Sequence, residues 1–162
     1  MNTAYHAALA NPAVYQHHAG WLEAQWCTGG VGCMFPETNP APGFKSHPEH
    51  QVTTRLHRGK VCVHADGKPV AETRFAVVVE ETNHAPAYYI PFDDINEQLL
   101  TPSNHVTRCP FKGKARYWNL KIGEHEIDNA VWAYETPYDE VLELAGLAAF
   151  FPNKVTIEVS AD

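Results

Sequence analysis

The sequence predicts a mainly β fold made of antiparallel sheets, with two short helices and a helical N-terminal extension. Residues 61–65 alternate apolar and polar side chains, which is the period of a strand with one buried face. Asp66-Gly67 follows at once and is a strong signal for a two-residue hairpin. Residues 75–79 form an apolar, β-branched run, which predicts a strand buried on both faces.

The first fifty residues differ from the rest in their pattern. Residues 4–26 carry apolar side chains at helical spacing, and Asn11-Pro12 suits a helix start, with Asn as the cap and Pro in the first turn. Residues 27–50 are punctuated by glycine and proline without a sustained period, which predicts a loop or linker.

We therefore divide the chain into an N-terminal extension, residues 1–50, and a β domain, residues 51–162. Trp21 and Trp26 suit two roles for the extension, since large aromatic residues either cover a sheet or mediate self-association. A homo-oligomer formed through the extension is the expectation that follows from the second role.

Within the β domain the predicted elements follow in order. A strand over residues 70–74 completes the hairpin, and a further strand covers residues 87–90. Asp93-Asp94 places two carboxylates in the first turn of a short helix, where the helix dipole favours negative charge.

The C-terminal part continues this pattern. Residues 101–104 read as a turn because they combine Thr, Pro, Ser and Asn. Strands are predicted over residues 115–122 and 130–134, and a last strand over residues 155–159. A Thr-Pro start and apolar residues at helical spacing predict a helix over residues 137–148, with a glycine inside it as an earlier end.

Composition narrows the class of function. A length of 162 residues suits one domain with an appended segment, and the net charge of -7 argues against broad binding to nucleic acid or anionic membranes. No apolar run approaches a membrane span, and the N-terminus lacks a signal-peptide pattern, so we expect a cytoplasmic protein. The 4 cysteines form no Cys-x-x-Cys pair, so we expect free thiols and no metal or other cofactor.

Cys109 lies in the stretch of residues 108–118, which is the densest in chemically active groups. Nearby cations lower the pKa of a thiol, so Lys112 together with His105 would make Cys109 a nucleophile or redox thiol. The alternative is that Cys109 is a small buried hydrophobic residue before a proline, and that Lys112 belongs to an exposed turn.

A second candidate group is aromatic. Tyr117, Trp118, Trp132 and Tyr134 would form one wall of a small-molecule pocket, with Arg116 pairing with or stacking on the ligand. The alternative is that these rings pack in the core and that Arg116 is a surface cation.

A third group flanks the strand at residues 75–79. Glu72, Arg74 and Glu80 combine carboxylates with a cation, which would orient a ligand or supply a base. The alternative is an exposed ion pair. Tyr88, from the next strand, completes the predicted ligand-binding set.

Five segments, in this order, resemble domain-of-unknown-function family 427, a largely bacterial group, over about residues 51–159. These segments are Gly67-x-x-Val70-Ala71-Glu72-Thr73, Tyr88-Tyr89-Ile90-Pro91, Cys109-Pro110-Phe111-Lys112-Gly113-x-Ala115-x-Tyr117, Ala130-Val131-Trp132-x-Tyr134 and Ala149-Phe150-Phe151-Pro152.

The resemblance implies a β-tent-like domain, a fold shared with methionine sulfoxide reductase B and with a zinc-bearing nucleotide-exchange factor. Those relatives use paired Cys-x-x-Cys zinc knuckles, which this chain lacks, so structural zinc does not carry over. The family is sometimes labelled a nucleotidyltransferase, yet the chain has no phosphate loop and no paired aspartates on a strand for magnesium.

Three hypotheses for function follow. The first is a small-molecule-binding domain whose polar or anionic ligand contacts Lys112, Arg116 and the Trp/Tyr wall. The second is an enzyme that uses Cys109. The third is a subunit-interaction module. Reactivity of the Cys109 thiol separates the first two, because a nucleophilic thiol reacts with alkylating agents and a packed one does not.

Overall fold

Strands make up most of the chain that the computed structural model describes, which is residues 38–161. In this part of the chain they are β1 (Val52–Leu56), β2 (Gly59–Ala65), β3 (Lys68–Thr73), β4 (Val77–Glu81), β5 (Ala87–Pro91), β6 (Leu100–Cys109), β7 (Gly113–Ile122), β8 (His125–Pro137), β9 (Leu147–Phe150) and β10 (Thr156–Ala161). The helices are short: α1 (Gly43–Ser46) is a single turn, and 3-10 helices cover Phe92–Asp94, Glu97–Leu99 and Asp139–Leu144.

The strands form two antiparallel sheets. The larger has seven strands in the order β1-β4-β5-β9-β8-β7-β6, and the smaller has three in the order β10-β2-β3. The prediction of a mainly β domain built from antiparallel sheets is therefore confirmed. The predicted N-terminal helix over residues 4–26 lies outside the described residues, and the division of the chain at residue 50 stays a prediction.

The alternation of side chains along the strands produces two hydrophobic clusters, one on each face of the larger sheet. The inner cluster joins both sheets, with Val61 and Val63 of β2 packed among Leu120 of β7 and Val131 of β8. The outer cluster lies on the opposite face, where Tyr134 of β8 packs with residues of the Asp139–Leu144 helix. Burial of apolar area on both faces is the main stabilising contribution.

Two of the strongest local predictions are confirmed. β2 alternates fully between buried and half-buried residues, and Asp66-Gly67 joins it to β3 with both residues at positive φ, 49° and 72°. The three valines 77–79 of β4 are all buried, as expected for a strand covered on both faces.

Two other local predictions are wrong. Residues 101–104 form no turn but belong to β6, where the register against β7 shifts between Pro102 and Val106, so the turn-forming residues occupy a bulge. The helix expected over residues 137–148 ends at Leu144 as a 3-10 helix, and Ala148 lies in β9. The alternative of an earlier end at the glycine is confirmed, because Gly146 takes a φ of 77° just after the helix and the following apolar residues are buried in a sheet.

Residues 39–50 pack against the sheets through specific hydrogen bonds. The Asn39 backbone N–H donates to Asp139 Oδ2 at 2.7 Å, and the Gly43 N–H donates to the Pro110 carbonyl oxygen at 2.9 Å. The Phe44 ring meets the Phe111 ring edge-on at 5.1 Å. These contacts place His50 beside the turn that joins β6 to β7.

None of the helices in residues 38–161 is long and apolar enough to cross a membrane.

Gly59 provides a test of how β2 and β10 fit together. Its φ is 135°, and a Cβ there would lie 1.9 Å from the Ser160 carbonyl oxygen. We expect Gly59→Ala to lower the free energy of unfolding by roughly 3 kcal/mol or more, because backbone strain and a backbone clash combine. Urea denaturation followed by circular dichroism measures this change.

The matched control is Gly67→Ala. Gly67 also has a positive φ, 72°, but nothing lies within 4 Å of its Cβ position. This variant should therefore lose only about 1–2 kcal/mol, the cost of the left-handed conformation. Equal losses for the two variants would contradict the proposed close approach of β10.

Candidate functional site

A cavity of about 660 Å³ opens beside the outer cluster. Its lining comes from β4, β5, β7, β8 and β10, from the end of β6 and the turn after it, from His50, and from residues 84–86 and 150–152. Eight of the lining side chains are aromatic: Tyr88, Tyr89, Phe111, Tyr117, Trp132, Tyr134, Phe150 and Phe151. The volume lies within the range of about 300–1,000 Å³ that is usual for small-molecule sites.

The aromatic wall is held by ring contacts that follow from strand register. Trp132 pairs with Tyr117 across β7 and β8, and its Nε1 donates a hydrogen bond to the Tyr89 hydroxyl at 3.1 Å. The ring centroids of Phe151 and Trp132 are 4.4 Å apart, and those of Tyr89 and Tyr134 are 6.5 Å apart. Adjacent rings therefore restrict one another's orientation and shape the wall in advance.

The polar end of the cavity is an ion pair between Glu81, the last residue of β4, and Lys112, in the turn between β6 and β7. The Lys112 ammonium contacts Glu81 Oε2, and both side chains are only 9% exposed. Three strands separate β4 from β7 in the sheet order. Four strand spacings of about 4.8 Å would put them about 19 Å apart in a flat sheet, so the sheet must curl for the pair to form.

Two histidines complete this polar end. His50 Nε2 lies 3.1 Å from Glu81 Oε1, and the His50 ring stacks on Phe111 with centroids 3.8 Å apart. His84 Nδ1 lies 3.8 Å from Glu81 Oε2. We refer to Glu81, Lys112, His50 and His84 as the polar cluster.

The polar cluster keeps Glu81 ionised. Burial raises the pKa of its carboxyl, but the hydrogen bond and charge of Lys112, with smaller effects of His50 and His84, together bring the pKa below the usual value. The Glu81–Lys112 pair is therefore a buried pair of opposite charges with no net charge.

The tyrosines of the wall stay protonated. Burial raises the pKa of Tyr89, against a smaller opposing effect of the Trp132 hydrogen bond. Burial also raises the pKa of Tyr134, and nearby Tyr89 and Cys109 act in the same direction. Both hydroxyl groups are consequently hydrogen-bond donors at neutral pH.

The structure brings together six of the predicted site residues. They line the cavity and are Tyr88, Cys109, Lys112, Tyr117, Trp132 and Tyr134. The rings were predicted either to line a pocket or to pack in the core. Tyr134 does both, because it is buried within the outer cluster and also lines the cavity.

His105 does not lie near the Cys109 thiol. The two residues are four positions apart on the extended strand β6, which separates their Cα atoms by about 13 Å. The His105 ring instead packs against Tyr117, with centroids 4.6 Å apart. The predicted assistance of Cys109 by His105 therefore has no geometric support.

The remaining predicted residues lie outside the cavity lining. Arg116 is exposed and donates to Glu135 at 2.9 Å, and Trp118 packs edge-on against Phe92 on the inner face of the larger sheet. Because side chains alternate along β7, Arg116 and Trp118 point away from the face that carries Tyr117.

Glu72 and Glu80 form exposed ion pairs, as the alternative interpretation predicts. Glu72 pairs with Lys60 at 2.8 Å, and Glu80 pairs with Arg55 at 3.0 Å. Arg74 is exposed on the segment after β3 and does not line the cavity.

Sequence reasoning missed Glu81, His50, His84 and Tyr89. A signal for Glu81 was present, since it lies two residues after the buried Val79 and so shares its side of β4. No local pattern marks His50, because only the packing of residues 39–50 brings it to the cavity. Within residues 38–161 no group of three His, Cys, Asp or Glu side chains is arranged to hold a metal ion.

Comparison with known proteins identifies a family. Residues 53–161 match the family model described as Domain of unknown function (DUF427). A search of curated proteins found none that matches this chain.

The buried pair gives a stability prediction. Lys112→Met leaves the Glu81 carboxylate buried without its cation, so we expect the free energy of unfolding to fall by roughly 3–5 kcal/mol. The double variant Glu81→Gln/Lys112→Met should recover most of that loss, because no uncompensated charge remains. Urea denaturation of the three proteins measures both effects.

The matched control is the exposed ion pair between Arg55 of β1 and Glu80, the neighbour of Glu81 on β4. Arg55 and Glu80 lie at 3.0 Å but are 57% and 49% exposed, so Arg55→Met should cost less than about 1 kcal/mol. If Lys112→Met were as mild as Arg55→Met, Glu81 would not be the buried carboxylate that the structure shows.

The lowered pKa of Glu81 predicts a pH dependence. A carboxyl whose pKa is lower in the folded than in the unfolded protein stabilises the fold above the unfolded pKa, which is near the ordinary glutamate value of 4.5. That contribution is lost as the pH falls through the folded pKa. We expect the free energy of unfolding to decline more steeply between about pH 5 and 3 in the wild type than in Glu81→Gln. Parallel slopes for the two proteins would show that Glu81 is not the titrating group.

Proposed function

This chain belongs to the DUF427 family, and we propose that it is a small-molecule-binding domain. Its ligand occupies the cavity beside Glu81 and Lys112. The observation that supports the proposal is the meeting of an aromatic wall with a buried, charge-compensated ion pair in one cavity. Concave apolar sites with a few placed polar groups are the usual form of a small-molecule site.

The aromatic wall favours a flat ligand. Trp132, Phe151 and Tyr117 are already in mutual contact, so a planar ring adds to an ordered stack with little loss of side-chain freedom. Trp132 and Tyr117 are only half-buried and therefore present ring surface to the cavity.

The polar cluster favours a ligand with a polar group. The sequence predicts a polar or anionic ligand held by Lys112, Arg116 and the Trp/Tyr wall. The Lys112 charge is compensated by Glu81, however, and Arg116 pairs with Glu135 outside the cavity. Support for an anion is accordingly reduced, and a polar ligand is the form of the proposal that the contacts favour.

Thiol chemistry is the second candidate function. Cys109 is half-buried and lines the same cavity as Lys112, so an electrophilic ligand in the cavity would have access to its sulfur atom. Self-association through residues 1–50 stays a prediction, as does a cytoplasmic location.

Trp132 provides the test of binding. Planar heterocyclic fragments are screened by thermal shift, and the affinity of each hit is measured by isothermal titration calorimetry. We expect Trp132→Leu to weaken the hits by at least about tenfold, since an aromatic contact contributes about 1–1.5 kcal/mol beyond buried area.

Trp118→Leu is the matched control, because Trp118 lies on the opposite face of the larger sheet and outside the cavity lining. It should leave the affinity within about twofold of the wild type. Equal weakening by both substitutions would show that the hits bind elsewhere or that the effect is general destabilisation.

Cys109 provides a second readout of the same cavity. Iodoacetamide should label Cys109 in the folded protein, and saturating hits should slow that labelling, because they cover the sulfur atom. Cys62 serves as the internal control, since it lies on β2 away from the cavity lining and should label at an unchanged rate. Labelling of Cys109 that starts only on unfolding would exclude thiol chemistry.

A further inference from the structure

We infer that the cavity selects neutral, planar ligands that carry a hydrogen-bond donor and an acceptor side by side, as a cyclic amide does. Glu81 accepts a hydrogen bond from the ligand's donor, and Lys112 donates one to its acceptor. The inference rests on the proposed function and specifies the chemistry of its ligand. It uses the hydrogen-bonding capacity of the polar cluster, its net charge and the shape of the wall.

The Lys112 ammonium has N–H donors beyond the one that it gives to Glu81. An ammonium group carries three N–H donors, and within residues 38–161 the Lys112 ammonium has Glu81 as its hydrogen-bond acceptor. Its side chain is 9% exposed and lines the cavity, so a remaining donor is best satisfied from inside the cavity. A ligand carbonyl oxygen is the matching group.

Glu81 has acceptor capacity beside that donor. An ionised carboxylate offers about four lone-pair positions, and Lys112 and His50 use one on each oxygen. Because Lys112 and Glu81 are in direct contact, the remaining acceptor position lies next to the remaining donor. A ligand N–H adjacent to a C=O group complements both at once.

The charges of Glu81 and Lys112 disfavour a charged ligand. The charges of Glu81 and Lys112 sum to zero, so an anionic ligand would face the Glu81 carboxylate and a cationic ligand would face the Lys112 ammonium. Either ion would bring an uncompensated charge into a buried site, which is costly, whereas a neutral dipolar group preserves the balance.

Tyr134 adds a second donor deeper in the wall. Tyr134 is 6% exposed and lines the cavity. Its protonated hydroxyl group would donate a hydrogen bond to a polar atom of the ligand ring. Tyr134 thereby extends the preference from a plain aromatic ring to a heterocycle.

Matched bicyclic probes test the inference on the wild-type protein. Isoquinolin-1(2H)-one presents the amide edge, and its N-methyl derivative keeps the ring and the carbonyl but loses the N–H donor. 1-Naphthoate and 1-naphthylmethylammonium carry the negative and positive charge on a similar ring. We expect isothermal titration calorimetry to show the cyclic amide binding at least tenfold more tightly than each of the other three.

Two variants locate the discrimination. The double variant Glu81→Met/Lys112→Met removes both charges and both hydrogen-bonding groups, and it should reduce the preference for the cyclic amide over its N-methyl derivative to within about twofold while the N-methyl derivative still binds. Tyr134→Phe keeps the ring and removes one donor, so it should weaken the cyclic amide severalfold and leave the two-probe ratio close to the wild-type value. Circular dichroism confirms folding of each variant before titration.

The outcomes separate the two proposals. Binding of all four probes with equal affinity, or tightest binding of 1-naphthoate, would overturn the inference and leave the aromatic small-molecule site in place. If none of the probes binds and the fragment screen also returns no hit that depends on Trp132, the proposed function fails, and the inference fails with it.

Discussion

The buried contact between Glu81 and Lys112 requires the larger sheet to be curled. Glu81 ends β4 and Lys112 lies between β6 and β7, on opposite sides of three intervening strands. Their contact needs a strongly curled sheet, because a flat one would hold the strands about 19 Å apart. Aromatic residues of the outer face, together with Tyr88, Phe150 and residues of β10, then surround a cavity instead of lying on a flat surface.

The same contact sets the chemistry of that cavity. Desolvating two charges is costly, so the pair is compatible with burial only because Lys112 and His50 satisfy the Glu81 oxygens. Phe111, itself buried, stacks on His50 beside this arrangement. Packing of residues 39–50 on the sheet is thus part of the site, since it delivers His50 and carries Phe44 against Phe111.

The aromatic wall and the polar cluster are arranged by different rules. Strand alternation alone places Trp132 and Tyr134 on one face of β8, and register brings Tyr117 opposite Trp132. The polar cluster has no such periodic origin, because its members come from a loop, a strand end and a turn that are distant in sequence. A ligand that contacts both parts would report on the curl of the sheet as well as on the local strands.

The strand-rich class, the hairpin at Asp66-Gly67 and the apolar faces of β2 and β4 follow from the amino-acid sequence alone, because they depend on a period of two and on turn chemistry between neighbours. It also marked Cys109, Lys112 and Trp132 as residues of interest, although it grouped them with Arg116 and Trp118, which face the other way. The contact of Lys112 with Glu81 and the separation of His105 from Cys109 become apparent only in the folded chain. Contacts between residues distant in sequence depend on how the whole sheet curls, and no local pattern encodes that curvature.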